Sequence, residues 1–432
     1  SAHALAVNGD AYGNDFSPYY YANGYWSTFF GVGIDEGITF ADSSNDLDLG
    51  GIDAHLELWY KPVGDTLQVL LGKHGGSSSW SGSGFAYQFQ MPTTRKFTYY
   101  YNAGGPVAMV TSTALTKNVW HHIAVATDSS NNFAVFINGT REATANATQS
   151  NPGTRTNFKI GSDIGGNDTE GYISNVRHVT GSNAYDPTAS SITVPTEPLT
   201  AITGTQILTC QSNRFIDNSS NGLTLTLANT PKVSTNTPFT QSKTANVGSG
   251  FFDGTGDGLT TATSSDFAFG TNNFTFECWV YPFSDSGTQV ILDLRDANDG
   301  GTDHMSALVW LGDQLDCYSG SNYSSGTDLG NHFFANSWNH IAVQRSGNTL
   351  YHSVNGIVSS TNPSFTGNLT ANGLATIGGN VGLGASMFTG YIADMRIVNG
   401  TAVYGTSNFS VPTTSLTAVT NTKLLTCQYS GA

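Results

Sequence analysis

The residue types needed for hydrolysis do not occur in the spacing that this chemistry requires. A glycoside hydrolase places two carboxyl groups on either side of the scissile bond. No E-x-D-x-E run occurs, and the nearest approach is Asp46-Leu47-Asp48, an acidic turn without a glutamate. The sequence also has no G-x-S-x-G nucleophile elbow, Cys/His pair or phosphate-binding loop. We therefore expect a protein that binds or assembles and is not an enzyme.

One candidate ligand-binding segment is a glycine- and serine-rich stretch that contains a tryptophan. Residues 72–84 have the sequence GKHGGSSSWSGSG. Trp80 could stack on the face of a sugar ring, with Lys73 and His74 supplying hydrogen-bond donors. The alternative is that Trp80 packs on its own domain or on a neighbouring subunit. The residues alone leave both open.

A second candidate segment has the composition of a calcium loop. Residues 293–304 have the sequence DLRDANDGGTDH. Asp296, Asn298, Asp299 and Asp303 offer closely spaced oxygen ligands of the kind that Ca²⁺ prefers. The spacing is not that of an EF-hand, because no glutamate closes the loop. The alternative is a solvated acidic turn.

The composition of the 432-residue chain excludes several classes of protein. Charged residues make up 11% and aromatic residues 12%, with 50 glycines, so the chain is neither disordered nor rich in helix formers. The formal net charge is −15, and no Lys/Arg cluster supplies the basic surface that nucleic acid or an anionic membrane requires. No apolar run is long enough for a transmembrane helix. We expect neither nucleic-acid binding nor membrane insertion.

An internal duplication organises the chain. WHHIAV at 120–125 matches WNHIAV at 338–343, and GYISNVR at 171–177 matches GYIADMR at 390–396. A long match also joins the stretches at 194–210 and 411–427, and the offset between matching motifs is nearly constant along the chain. Repeats that each span half of such a chain are domains and not solenoid units. We therefore expect one domain over 1–212 and a second over 213–432.

Alternating apolar residues predict strands within each copy. Leu56, Leu58 and Tyr60 alternate with other residues, and Asn138-Gly139 and Asn355-Gly356 follow apolar runs as hairpin turns. No run has helical periodicity. We predict an all-β chain of two tandem antiparallel β-sandwich domains. The segment ALAVNGD at 4–10 also resembles LTLAN at 225–229.

Several landmarks that recur in the two copies have structural interpretations. We expect Trp120 and Trp338 to be core anchors, and Arg177 and Arg396 to close the sandwiches at strand ends. The histidines at 121, 122 and 340 would lie on the sheet surface or in hydrogen bonds. The four cysteines favour buried free thiols, although a Cys278–Cys317 disulfide is possible.

The order of these motifs resembles the laminin G-like, concanavalin A-like jelly-roll family. The resemblance rests on a strand containing Trp59 or Trp279, then the W-x-H-I-A-V strand, the Asn-Gly turn and the G-Y-I-x-x-x-R strand. Phe252-Asp253-Gly254 also looks like the opening of this family, whereas the first copy departs from it at Phe30-Gly31. The tail VNGTAVY at 398–404 is similar to tandem modules in virion proteins of marine bacteriophages.

The resemblance implies a role in recognition at a surface. We expect a non-catalytic virion surface protein, such as a phage fibre or decoration module, that contacts other virion subunits, itself or host-surface glycan. The alternative is a secreted or cell-surface bacterial adhesin or carbohydrate-binding module. Ca²⁺ is the one cofactor that the residues suggest.

Overall fold

The chain is built almost entirely from β-strands. The computed structural model describes residues 3–31, 35–42, 46–74, 85–149, 156–163, 165–296, 305–311, 314–319 and 322–430. Apart from strands and turns, these residues form two single-turn 3-10 helices, Ser265–Phe267 and Gly330–His332. The predicted all-β class is confirmed. Within the described ranges, no helix has the length and hydropathy needed to span a membrane.

Thirty strands follow one another along the described chain. Two short strands come first: β1 (Ala6–Asn8) and β2 (Tyr12–Asn14). The first copy contains β3 (Ser27–Phe30), β4 (Gly37–Ala41), β5 (Ala54–Pro62), β6 (Gln68–His74), β7 (Phe85–Met91), β8 (Lys96–Asn102), β9 (Pro106–Ala114), β10 (His121–Thr127), β11 (Asn132–Ile137), β12 (Thr140–Asn146), β13 (Asn157–Ile160), β14 (Gly171–Thr180) and β15 (Thr205–Thr209). Two more short strands follow: β16 (Leu225–Ala228) and β17 (Lys232–Ser234). The second copy contains β18 (Ser249–Asp253), β19 (Gly258–Thr260), β20 (Phe274–Pro282), β21 (Thr288–Asp293), β22 (Ser306–Leu311), β23 (Gln314–Ser319), β24 (Asn322–Gly326), β25 (Asn339–Ser346), β26 (Thr349–Val354), β27 (Ile357–Val358), β28 (Thr376–Ile377), β29 (Thr389–Asn399) and β30 (Thr422–Thr426).

These strands form two lobes with the same topology. The first lobe comprises Tyr21–Ser242, and the second lobe comprises Ser1–Tyr20 together with Lys243–Ala432. In the first lobe, an eight-stranded sheet has the order β12-β11-β10-β5-β14-β3-β17 with β15 also on β14, and a seven-stranded sheet has the order β16-β4-β13-β6-β7-β8-β9. In the second lobe, the corresponding orders are β27-β26-β25-β20-β29-β18-β2 with β30 on β29, and β1-β19-β28-β21-β22-β23-β24. The predicted tandem antiparallel sandwiches are present.

The lobes do not coincide with the domains expected at 1–212 and 213–432. β16 and β17 pair with β4 and β3 of the first copy, so the segment after residue 212 completes the first lobe. β1 and β2 pair with β19 and β18 of the second copy, so the segment before the first copy completes the second lobe. The repeat identifies equivalent positions, but hydrogen bonds at the sheet edges decide to which lobe each short segment belongs.

Each lobe has a core between its two sheets. In the first lobe the alternating residues Leu56, Leu58 and Tyr60 of β5 are fully buried, as predicted. In the second lobe Phe276 and Cys278 of β20 occupy the corresponding positions of the core. All four cysteines are buried free thiols, so Cys278 and Cys317 form no disulfide.

The Asn-Gly turns hold an outer strap against each eight-stranded sheet. The outer strap is the segment 181–204 between β14 and β15, or 400–421 between β29 and β30. Asn355 and Gly356 have φ of 52° and 80°, as the turn requires. The Asn355 side chain accepts the His340 N–H at 3.0 Å, and the Gly356 carbonyl accepts the Phe409 N–H of the strap at 2.9 Å. The turn therefore closes the hairpin and also positions the strap.

Gly356→Ala should lower the free energy of unfolding by about 2 kcal/mol or more, because a Cβ there would lie 2.0 Å from the Phe409 carbonyl oxygen in a positive-φ residue. Gly347→Ala is the matched control, since Gly347 has φ of 62° but nothing within 4 Å of its would-be Cβ. The control should cost about 1 kcal/mol. Chemical denaturation measures both. Equal losses would show that the strap contact contributes nothing.

Candidate functional site

A row of polar side chains crosses the outer face of the seven-stranded sheet in the first lobe. Gly72 on β6 lies opposite Lys159 on β13 and opposite Gln88 on β7. Gln88 in turn lies opposite Tyr100 on β8. Directly opposed residues of antiparallel strands share a face, so Lys159 and Gln88 flank the position where Gly72 has no side chain, and Tyr100 lies beyond Gln88.

The imidazole of His74 occupies the space above Gly72. A Cβ on Gly72 would lie 2.5 Å from His74 Nε2, so the glycine makes room for the ring. His74 is 4% exposed and Gln88 is 2% exposed. Within the described residues, neither His74 Nε2 nor Gln88 Nε2 has a hydrogen-bond partner. Buried polar atoms without partners are costly, and a ligand that supplies the partners would recover that cost.

The electrostatics of this face keep the imidazole neutral. Burial lowers the pKa of His74 to about 4, although the carboxylate of Asp163 acts in the opposite direction. Lys159 lies nearby, and its ammonium donates to Asp35 Oδ1 at 3.0 Å and to the Asp163 carbonyl at 2.9 Å. A neutral imidazole can donate at one nitrogen and accept at the other. Such a group suits a ligand rich in hydroxyls.

The same position in the second lobe is closed by an ion pair. Asp293 and Arg295 correspond to Gly72 and His74, because Asp293 pairs with β28 as Gly72 pairs with β13. The Arg295 guanidinium donates to both Asp293 oxygens, at 2.6 to 3.1 Å. Val381 N–H donates to the same carboxylate at 2.9 Å. At this position the second lobe has two side chains that pair with each other, whereas His74 and Gln88 of the first lobe each have a nitrogen without a partner in the described part of the chain.

The structure places only some of the predicted ligand residues of the first copy where they could contact a ligand. Trp80 lies outside the described residues, as does the rest of segment 75–84 that joins β6 to β7. Lys73 is not available as a donor: it faces the sandwich interior, is fully buried and forms ion pairs with Asp42 and Asp48. The expectation for Lys73 is therefore wrong. The pleat of β6 turns Lys73 inward, and His74 is the residue whose ring reaches the outer face.

The predicted calcium loop is described only at its start. Asp296 is exposed, and Asn298, Asp299 and Asp303 lie outside the described residues. Asp293, at the first position of the segment, is committed to Arg295. Calcium binding by residues 293–304 stays a prediction.

Another group of carboxylates lies in the second lobe, and the sequence did not indicate it. Asp10, Asp253 and Asp257 have carboxylate oxygens within 4.8 Å of one another. Asp257 accepts the backbone N–H groups of Asp10 and Asp253, both at 2.8 Å. The hydrogen bond and the charge of Asp257 raise the pKa of Asp10.

In the first lobe, Glu36 accepts the backbone N–H of Gly31 at 2.5 Å, as Asp257 accepts that of Asp253. The Thr230 hydroxyl also donates to Glu36, at 3.4 Å. In both lobes the carboxylate joins the loop after β3 or β18 to the short segment that completes the sheets.

A buried glutamate organises the opposite face of each lobe. Glu57 Oε1 accepts from Arg177 Nε at 2.9 Å, and Glu57 Oε2 accepts from His122 at 2.9 Å and from the Tyr185 hydroxyl at 2.7 Å. Burial alone would raise the pKa of Glu57, but the hydrogen bond from His122, the His55 imidazole 3.4 Å away and the charge of Arg177 hold it well below its usual value. The carboxylate is therefore charged and fully committed.

The second lobe repeats this arrangement around Glu277. Arg396 Nε donates to Glu277 Oε1 at 2.8 Å, and the Tyr404 hydroxyl donates to Oε2 at 2.5 Å. His340 lies 3.2 Å from the same oxygen. Arg177 and Arg396 are thus buried partners of a charge. The sequence-based expectation that they close the sandwiches at strand ends is wrong. The glutamate was missed, although it recurs in both copies beside the arginine and histidine motifs.

Glu57→Gln should lower the free energy of unfolding by about 3–5 kcal/mol, because it leaves the buried Arg177 guanidinium without a counter-charge. Glu197→Gln is the control: Glu197 is exposed and accepts the Tyr25 hydroxyl at 2.7 Å, so its loss should cost under about 1 kcal/mol. Urea denaturation measures the difference. A Glu57 variant as stable as the control would contradict the assigned role.

Stability should also fall with acid in a manner set by buried histidines. Burial lowers the pKa of His74 to about 4 and that of His178 to about 3, below the usual value of 6.5. Between about pH 6.5 and 4 the unfolded chain binds protons that the folded chain does not, so the free energy of unfolding decreases as the pH falls. His74→Phe should reduce the slope by up to about 1.4 kcal/mol per pH unit. An unchanged slope in denaturation curves across this range would contradict the assignment.

Comparison with known proteins agrees with this architecture. A family model described as the concanavalin A-like lectin/glucanases superfamily (laminin G type) matches residues 32–182 and again residues 253–403. No curated protein sequence matches the chain.

Solved structures similar to the chain include domains LG4-5 of the mouse laminin alpha1 chain, at 11% identity and a TM-score of 0.30, covering 98% of both chains. They also include the CBM40 of the Ruminococcus gnavus IT-sialidase bound to alpha2,3 sialyllactose, at 16% identity and a TM-score of 0.29, covering 35% of this chain and 90% of that one. The heptameric SAP-like pentraxin of Limulus polyphemus matches at 13% identity and a TM-score of 0.27, covering 35% of this chain and 75% of the other. Because the family model matches more than half of the residues in two successive copies, the chain belongs to the concanavalin A-like lectin/glucanase superfamily, with two tandem laminin G-like domains.

Proposed function

We propose that this protein is a non-catalytic recognition protein whose first lobe binds glycan on the outer face of its seven-stranded sheet. The observation that carries the proposal is a pair of buried nitrogens, on His74 and Gln88, that have no hydrogen-bond partner among the residues the structure describes. They lie on one face, one opposite and one above Gly72, where the second lobe has the Asp293–Arg295 pair instead. The sequence duplication thus provides an internal comparison between a position with unpartnered polar atoms, among the described residues, and an equivalent position filled by an ion pair.

The chemistry of this face suits a sugar better than an ion. A neutral imidazole and a carboxamide both offer donors and acceptors to hydroxyl groups. Lys159 carries the nearby positive charge, but Asp35 neutralises it. Segment 75–84 begins directly after His74 and includes Trp80, whose indole would supply the apolar surface on which a sugar ring stacks. Trp80 and His74 are therefore kept as binding residues in the proposal, and Gln88 replaces Lys73.

Support for a non-catalytic role comes from the two buried glutamates. Glu57 and Glu277 are each held by an arginine, a histidine and a tyrosine, so neither is free to act as an acid or a nucleophile. A glycosidase needs one carboxyl group that holds a proton near neutral pH. The pKa values of both glutamates are lowered, which is the opposite direction.

The biological setting is the finer part of the proposal. The resemblance of VNGTAVY at 398–404 to bacteriophage modules favours a virion surface, where the chain would contact host glycan or other virion subunits. A secreted or cell-surface bacterial adhesin is the alternative. Association of the chain with purified particles in stoichiometric amounts would favour the virion, and recovery from cell envelopes would favour the adhesin.

Glycan binding should decrease at least tenfold in Gln88→Leu and in Trp80→Ala, because each removes a contact that orients or stacks a sugar. His74→Phe should decrease binding while keeping the volume above Gly72 filled. Gln241→Leu, at a half-exposed glutamine elsewhere in the first lobe, is the control and should leave binding unchanged. Glycan-array binding and the melting temperature of the full chain are measured for each variant.

Two outcomes would count against the proposal. Binding retained by all three variants would place the glycan site elsewhere, and the melting temperature then shows whether Trp80 is a packing residue. Loss of binding in the Gln241 control as well would show that the variants act through general destabilisation.

A further inference from the structure

The N-terminal segment makes its contacts in the second lobe, although the first copy follows it in the chain. We name residues 3–20 the N-terminal bracket. Its strands β1 and β2 extend the edges of both sheets of the second lobe, by pairing with β19 and β18. Asp15 forms an ion pair with Lys243 at 2.6 Å, where the chain re-enters this lobe. The bracket is therefore a component of the second lobe, and its covalent connection to that lobe runs through the whole of the first lobe.

Aromatic side chains fix the bracket in place. The Phe16 ring lies 5.1 to 5.3 Å from the rings of Tyr281, Trp338 and Tyr391. The Tyr19 ring lies edge-on to Trp279 at 6.0 Å. These residues lie on the outer face of the eight-stranded sheet, so Trp338 is fully buried, as expected of an anchor, but it lies beneath the bracket and outside the cluster between the two sheets. The contacts make a defined docking site for the bracket.

The first lobe has an equivalent site, but the segment that fills it follows the lobe in the chain, whereas the N-terminal bracket precedes its lobe. We name residues 225–242 the middle bracket; its strands β16 and β17 pair with β4 and β3. Asn236 takes the place of Phe16 and accepts from Trp120 Nε1 at 3.3 Å, and Phe239 takes the place of Tyr19 beside Trp59 at 5.7 Å. The middle bracket follows its own lobe directly, whereas the N-terminal bracket does not. The same fold therefore accepts its bracket through either covalent route.

We infer that the N-terminal bracket is exchangeable between two copies of this chain, so that the bracket of one copy completes the second lobe of the other. The strand pairing and the aromatic contacts are the same in the exchanged and the unexchanged forms. The two forms therefore differ in free energy only through the covalent connection between the bracket and the second lobe of its own chain. The ratio of exchanged to unexchanged protein then depends on two quantities: the effective concentration of the bracket within its own chain, and the concentration of other chains. This inference is independent of glycan binding and supplies a route to linked chains.

Disulfide trapping distinguishes a bracket that pairs within its own chain from a bracket that pairs with another chain. Tyr12 and Phe251 lie directly opposite each other on β2 and β18. Tyr12→Cys and Phe251→Cys are prepared as separate variants, mixed at high concentration, unfolded and refolded together under reduction, and then oxidised. The four natural cysteines are buried after refolding and do not compete. A disulfide-linked dimer of twice the chain mass is expected, in a yield that rises with protein concentration and falls when excess peptide of residues 1–20 is added.

The matched control is the equivalent pair of the first lobe, Phe29 on β3 and Lys232 on β17. Mixed Phe29→Cys and Lys232→Cys variants should give at least fivefold less dimer, because β16 begins a short distance after the end of β15 and the middle bracket stays local. The Tyr12→Cys/Phe251→Cys double variant should give a cross-linked monomer at low concentration, which verifies the register. No dimer from the mixed N-terminal pair, or equal dimer from the control pair, would overturn the inference.

Discussion

A charged carboxylate sealed from water in each lobe governs how the surrounding elements are arranged. Glu57 and Glu277 are fully buried, and a buried ion is tolerated only when its oxygens are paired and hydrogen-bonded. The partners come from a neighbouring strand on either side and from the outer strap, through an arginine, a histidine and a tyrosine. The arginine also donates to a strap carbonyl, at 2.8 Å in the first lobe and 2.7 Å in the second. Strand register and strap position are thereby set by one charge.

The duplication separates what the scaffold requires from what each lobe adds. The glutamate network, the Asn-Gly turn and the strap recur in both lobes with the same contacts. The side chains on the outer face of the seven-stranded sheet differ: the second lobe has the Asp293–Arg295 ion pair, whereas in the first lobe His74 Nε2 and Gln88 Nε2 have no partner within the described ranges. The glutamate network and the strap lie on the other sheet, so this face can differ between the lobes without changing those contacts.

The sequence predicts the fold well because its signals are local. Alternation in β5, the Asn-Gly turns and the repeat offsets suffice for two all-β sandwiches. Lys73 was misplaced because it adjoins a glycine-rich stretch, and composition does not show that β6 continues through His74 with Lys73 on its inner face. The buried Glu57 was missed because a glutamate in a strand ordinarily faces water, and only its distant partners reveal otherwise. The bracket assignments were missed for a similar reason: edge pairing between segments that a whole lobe separates in the chain leaves no local trace.

The route of the chain through the second lobe also has a consequence during synthesis. The Phe16 carbonyl accepts the hydroxyl of Ser249, which lies 233 residues later in the chain. At about 5–20 residues per second, the N-terminal bracket waits roughly 10–50 s for its partner strands. During that interval the first lobe, including its middle bracket, can finish folding, while Phe16 and Tyr19 lack the aromatic cluster that later covers them. A nascent chain of this protein therefore exposes these two aromatic side chains beside a completed domain, a state that favours chaperone capture or pairing with another nascent chain.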